Sequence, residues 1–232
     1  TFLDELDYPY DYLKHTGKPI NQLYGLIAER LFVDQSEIDN SPRQDFGIYM
    51  AGDIKYKDMN NDGIINDYDV VPMGFPRVPE IQYGFGISTG YKKMDFSFFF
   101  QGNARTSFFI DAAAITPFVG KRNALSFIAD SYWSELNPDP HAFFPRLSTS
   151  VIQNNSRASS WWLRNGSFLR LKTLETGYNF DGYKMLNGGR IYFNCENVFV
   201  LSPFKYWDPE VGSNGLNYPL NRSFNVGLQL FF

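Results

Sequence analysis

The last twelve residues, Asn221 to Phe232, constrain this chain more than any other stretch. They read N-R-S-F-N-V-G-L-Q-L-F-F. Phe224, Val226, Leu228, Leu230 and Phe232 alternate with Ser223, Asn225, Gly227 and Gln229. Period-two alternation marks a strand with one apolar and one polar face. In a soluble protein such a strand, ending on an aromatic residue, leaves a bare apolar edge that invites pairing. A closed outer-membrane barrel has a use for it. The apolar face meets lipid, the polar face meets the lumen, and the edge pairs with a neighbouring strand.

Composition narrows the choice. The 232 residues contain no apolar run near the roughly 18 that a membrane helix needs. Membrane-spanning strands carry a much weaker signal per segment, so they stay open. A net charge of -4, with no basic stripe, argues against nucleic acid as a partner. Cys195 is alone, so neither a disulfide framework nor a thiolate metal site is expected. The chain starts at Thr1, without Met or a signal peptide, and is expected to be a processed form or a piece of a longer protein.

Further strands follow the same period. Ile81, Tyr83, Phe85, Ile87, Thr89 and Tyr91 share one face, and Met94, Phe96, Phe98 and Phe100 continue it after Lys92-Lys93. Phe99 breaks the pattern. This is a hairpin with a tight charged turn. At about 11 residues each, tilted near 40°, its strands span roughly 28 Å, close to the apolar band of a barrel. A second hairpin joins Ser167–Phe180 to Gly189–Leu201, with a bulge near Thr173 where the phase shifts. A less clean strand is expected at Gln22–Phe32. The connections 33–79, 103–166 and 202–221 are long, whereas 92–93 and 181–188 are short. Membrane barrels have long extracellular loops and short periplasmic turns, so Phe232 is expected on the periplasmic side. The spacing of Leu125, Ile128, Ala129, Tyr132 and Trp133 predicts a helix over 123–136, stopped by Asn137-Pro138.

The expected fold class is all-β: about six C-terminal strands of a large transmembrane antiparallel β-barrel, with long extracellular loops containing a short helix. Six strands cannot close such a barrel, whose smallest form has eight. The expected membrane-facing residues are Phe96, Phe98, Phe100, Phe224, Val226, Leu228, Leu230 and Phe232.

Within 33–79, D-M-N-N-D-G-I-I-N-D-Y-D can be laid on a twelve-residue calcium loop. Asp58, Asn60 and Asp62 take positions 1, 3 and 5, and Gly63 takes the sharp turn. The Ile64 carbonyl, Asn66 and Asp69 take 7, 9 and 12. A hard cation that wants six to eight oxygens would relieve the repulsion of closely spaced carboxylates. Position 12 is Asp rather than Glu, and the approach alternates like a strand. The plainer account is an Asx-rich turn held by its own hydrogen bonds. Any Ca²⁺ here is expected to be structural.

Trp161, Trp162 and Trp207, with Arg170 and Arg190, are the candidate substrate contacts, and Trp133 is a further ring that could stack on a sugar. Adjacent Trp161 and Trp162 cannot share one strand face, and an aromatic girdle or loop core accounts for them more simply. The arginines are expected on the lumen face with Lys172 and Glu196, where mutual pairing is the simpler account. His15 and His141 lie far apart. No Ser/His/Asp, Cys/His or zinc spacing occurs, and no enzyme activity is expected.

The chain resembles the C-terminal part of the SusC/RagA family of TonB-dependent outer-membrane transporters of Bacteroidota. The matching stretches run in order: G-K-P-I-N-Q-L-Y-G-L (17–26), G-D-I-K-Y-K-D-M-N-N-D-G-I-I-N-D-Y-D (52–69), G-F-P-R-V-P-E-I-Q-Y-G-F (74–85) and Y-K-K-M-D-F-S-F-F-F-Q-G (91–102). They continue through S-W-W-L-R-N-G-S-F-L-R-L-K (160–172), N-C-E-N-V-F (194–199), D-P-E (208–210) and the terminal N-Y-P-L-N-R-S-F-N-V-G-L-Q-L-F-F (217–232). The resemblance implies a 22-stranded, plugged barrel in the outer membrane of a Gram-negative bacterium. It also implies import of oligosaccharide or peptide fragments, coupling to TonB through an N-terminal part not found here, and a SusD-like surface lipoprotein as partner. The plug and upstream strands of the same transporter would complete the barrel.

Two rivals remain at this level. One is a secreted soluble all-β glycan-binding module stabilised by calcium. The other is a surface-layer or adhesin scaffold. A sandwich would bury Phe96, Phe98, Leu228 and Leu230 against a second sheet, whereas a barrel would turn them outward.

Overall fold

The computed structural model describes residues 7–183 and 186–232. The chain divides into two compact units. One comprises 1–78, 107–164 and 212–216, and the other comprises 79–106, 165–211 and 217–232.

The second unit is a five-stranded antiparallel sheet. Its strands are β1 (Ile81–Tyr91), β2 (Met94–Ala104), β3 (Phe168–Tyr183), β4 (Leu186–Leu201) and β5 (Ser223–Phe231). Each pairs with its neighbour in sequence, so the sheet is a simple meander. Alternation dictates this arrangement. Phe85 faces Phe100, Ile87 faces Phe98, and Leu174 lies between Phe98 on β2 and Cys195 on β4. Cys195 then meets Phe224, Phe193 meets Val226, and Ile191 meets Leu228. One continuous apolar face results. The other face carries Ser88, Asp95, Ser97, Glu175, Arg190, Asn194, Asn225 and Gln229, as their register partners require.

The expected β1–β2 turn falls at Lys92-Lys93, where Lys92 adopts φ of +55°. The expected bulge is also present. Pairing of β3 shifts between Leu171 and Thr173 on both sides, leaving Lys172 without a register partner. Opposite it, Asn197 takes φ of +53° and its Oδ1 accepts from Lys172 Nζ at 3.1 Å. The β3–β4 hairpin is longer than expected. Its strands reach Tyr183 and Leu186, and residues 184 and 185 of the expected 181–188 connection lie outside the described residues.

Glycines seat rings from neighbouring strands. A Cβ at Gly227 would lie 2.2 Å from the Tyr192 ring, one at Gly189 2.3 Å from Phe180, and one at Gly102 2.6 Å from Tyr83. Phe99, the one aromatic residue of β2 out of phase, lies over Gly84 and Gly86 in the same way. Removing a side chain leaves a hollow in the pleated surface that a cross-strand aromatic fills.

Two sequence expectations fail in the first unit. Gln22–Phe32 is not a strand of the long sheet. It forms two short strands, Leu23–Gly25 paired with Val71–Met73 and Ala28–Leu31 paired with Ile54–Tyr56. The break comes where Leu26 turns to the Ala158–Ser160 segment. Leu26 N–H donates to Ala158 O, and Ser160 N–H donates to Leu26 O. The helix expected over 123–136 shrinks to Ser126–Ala129. Its first residue follows Leu125, which offers no side-chain cap. After Asp130 the backbone turns instead to Phe144: Phe144 N–H donates to Ser131 O, and Trp133 N–H to Phe144 O. A second short helix, Ala112–Ile115, is capped by the Asp111 carboxylate.

The core of this unit combines Leu26, Leu31, Phe32, Ile54, Ile65, Ile128 and Trp162 with a buried polar network. Asn155 donates to Asp53 at 2.8 Å and accepts from Ile54 N–H at 2.9 Å. Gln44 donates to Asn154 and accepts from Tyr56 N–H. The Arg146 Nε lies 2.8 Å from Asp53 Oδ1 as an ion pair. Each buried amide hydrogen-bonded in this network avoids a desolvation cost of about 1–3 kcal/mol.

Candidate functional site

The Asp58–Asp69 loop, in the first unit, is shaped by its own acidic side chains. Asp58 accepts from Asn61 N–H at 2.6 Å and from Gly63 N–H at 2.8 Å. The Asn60 Oδ1 accepts from Asp62 N–H, and Asp62 Oδ1 from Ile64 N–H. Asn61 and Gly63 both take positive φ, +59° and +83°. Asp69, fully buried, closes the loop end to end by accepting from Met59 N–H at 2.7 Å and Asn66 N–H at 2.8 Å. Asn66 and Asp69 thereby cap the short turn Asp67–Asp69 reciprocally. The chain at Ile64-Ile65 runs parallel to Arg43-Gln44.

The structure thus brings the six calcium-loop residues onto one loop, but it turns both Asp69 oxygens to the loop's own backbone. Among the described residues, no three acidic, His or Cys side chains converge to hold a metal. The loop is nonetheless strongly negative. Burial, and then the charge of Asp69, push the Tyr12 phenol above its ordinary value, with Asp62 and Asp58 adding to the effect. Tyr12 OH donates to the Tyr68 carbonyl at 2.7 Å.

The candidate substrate contacts separate sharply. Trp162 is 1% exposed, and its Nε1 donates to Asn155 O at 2.7 Å. It belongs to the core of the first unit and has no face left for a sugar ring. Trp161 is half-buried, donating to Phe143 O at 3.0 Å. Trp207, in the other unit, is half-buried with its ring edge-on to Phe204 at 4.7 Å.

Both arginines lie on the polar face of the sheet, and both are already engaged. Arg190 on β4 reaches Asp95 on β2 at 3.1 Å and Glu175 on β3 at 2.6 Å, tying three strands. It crosses Gly177, where a Cβ would lie 2.6 Å from its Nε. Arg170 is 3% exposed. Its Nη2 donates to both oxygens of Asp208 at 2.6 Å, and its Nε lies 2.7 Å from Glu210. Neither guanidinium is open to a substrate anion in this arrangement. The mutual pairing wins because acids sit within reach on adjacent strands or in the D-P-E turn. Glu175 was the unnoticed partner at Arg190. Its cue is the Glu-Thr-Gly run, which puts an acid and a vacant glycine position on the same face.

The expected membrane-facing residues lie on the opposite face. Phe96, Phe224, Val226, Leu228 and Leu230 are exposed, Leu228 to 60%, while Phe98 and Phe100 are half-buried. Phe232 is exposed but lies past the end of β5.

No family model matches this chain. The TonB-dependent receptor P26 of Formosa agariphila is 31% identical over 93% of this chain and 23% of that protein. The TonB-dependent receptor SusC of Bacteroides thetaiotaomicron is 29% identical over 90% of this chain and 20% of that protein. The chain spans less than a quarter of the length of these curated relatives. Among solved structures, the RagAB peptide importer in its open-open state superposes with a TM-score of 0.62 at 20% identity. It covers 91% of this chain and 22% of that one. The chain is SusC/RagA-like along nearly its whole length, and its fold is that of part of an all-β barrel.

Proposed function

We propose that this SusC/RagA-like chain is the C-terminal arc of the barrel of an outer-membrane TonB-dependent transporter. The transporter imports glycan or peptide fragments with a SusD-like surface lipoprotein, and it takes its energy through a TonB-coupled N-terminal part. One observation carries the proposal. A single apolar face runs unbroken and largely solvent-exposed across five paired strands, opposite a face of paired charges. In water such a face is a liability; in a bilayer it is the lipid surface, and the charged face lines an aqueous lumen. The long connections 33–79, 103–166 and 202–221 would stand on the extracellular side.

A soluble sandwich would need Phe96, Leu228 and Leu230 buried against a second sheet. All three are exposed, and among the described residues no other sheet exceeds two strands. The test is the native mass of the membrane-extracted species with peptide mapping of what co-purifies. A large detergent complex with upstream barrel sequence and a lipoprotein supports the proposal. A detergent-independent particle near 26.8 kDa rejects it.

A structural Ca²⁺ in the Asp58–Asp69 loop is proposed on the residue order alone. Calcium should protect 33–79 from protease, and Asp58→Ala with Asp62→Ala should abolish that protection. Equal cleavage of the wild type with and without calcium rejects the site.

A further inference from the structure

We propose that residues 202–211 form a strap latched onto the polar face of the sheet by Arg170, with the Asp208–Glu210 turn as the catch. After Leu201 the chain leaves β4 and does not pair again as a strand until Ser223. It is nonetheless tied down. The Ser202 hydroxyl donates to Ser167 O at 2.9 Å, and Phe204 is buried beside Trp207. The decisive tie is ionic. Asp208 turns both oxygens to Arg170 Nη2, and Glu210 lies against Nε. Asp208 also shapes the catch itself, accepting from Glu210 N–H at 3.0 Å while Val211 N–H donates to its carbonyl.

A guanidinium cannot shed its proton, so burying it requires acids held in place. The strap supplies them. While it is down, Arg170 is neutralised and covered. When it lifts, the polar face gains a bare cation, and two carboxylates leave with the strap. Such a latch would switch between a seated and a lifted arrangement, because the ion pair is either made or broken. Resting on the transporter proposal, the latch would set lumen width and charge beside β3 and β4.

Lys205, exposed on the strap, makes the latch measurable without that proposal. The full-length protein, extracted in detergent, is digested with trypsin, and cleavage after Lys205 is timed. Arg170→Met and the double variant Asp208→Asn with Glu210→Gln should each cleave there roughly ten-fold faster or more than wild type, with Arg170→Lys between. The double variant leaves every sheet residue intact, so it decides the matter if Arg170→Met fails to fold. Unchanged Lys205 cleavage in the folded double variant overturns the latch. Faster cleavage in a protein that proves not to be a transporter sustains the latch and sinks only its lumen role.

Discussion

At Gly177 a methyl group would sit 2.6 Å from two nitrogens of Arg190 and 2.7 Å from Asp95. Gly177→Ala should therefore push the guanidinium off Asp95 and cost about 1 kcal/mol, read as a urea midpoint shift in the purified protein. Gly90→Ala is the control, since its nearest neighbour would be 3.8 Å away; it should stay within about 0.5 kcal/mol. Equal effects would show that Gly177 makes no room for the bridge. Glu37 carries a pH prediction. Burial raises its pKa, but the Val33 N–H, Lys55 and Arg30 together bring it below its ordinary value of 4.5. The folded pKa then lies under the unfolded one. The stabilisation is present above about 4.5 and is lost as pH falls through the folded value. The stability gap between wild type and Glu37→Gln should narrow on acidification; a gap constant from pH 7 to 3 would contradict this. At this scale the sequence indicated which face each residue of the sheet would take, but not what it would touch. Arg170 and Arg190 were legible as polar-face residues. The partners of Arg190 depend on register between strands up to 95 positions apart, and those of Arg170 on how the chain turns back after Leu201.

The strands of the long sheet were legible because period two persists over nine or more residues in each. Even the bulge showed, as a slip of phase at Thr173. Gln22–Phe32 and 123–136 misled because tertiary pairing with Ala158 and Phe144 overrode local preference. What the bulge hid was its conformational demand. Asn197 sits in left-handed space, a region that branched residues enter at about 1–3 kcal/mol. Asn197→Val should destabilise by that amount in thermal unfolding, and Asn197→Gly should cost much less. Equal losses for the two would place the effect in the side-chain bonds to Lys172 and to the Asn221 carbonyl rather than in the backbone.

Over the whole molecule, the meander was readable from local alternation. The first unit was not, because its core joins segments about a hundred residues apart: Gln44 to Asn154, Asp53 to Asn155, Ile54 to both. Nothing in the sequence near Gln44 announces Asn154. The Asp58–Asp69 stretch was legible as an Asx-rich turn, and the structure holds it by its own side-chain-to-backbone hydrogen bonds. A transporter barrel requires a sheet with one lipid-facing and one water-facing side. The most direct measurement is a nitroxide scan of Ser223 to Phe231, one label at a time, in the full-length protein reconstituted in bilayers. Labels at 224, 226, 228 and 230 should collide with oxygen dissolved in lipid, and those at 223, 225, 227 and 229 with a water-soluble nickel chelate. Loss of this alternation, or water access at all nine positions, would contradict a lipid-facing sheet.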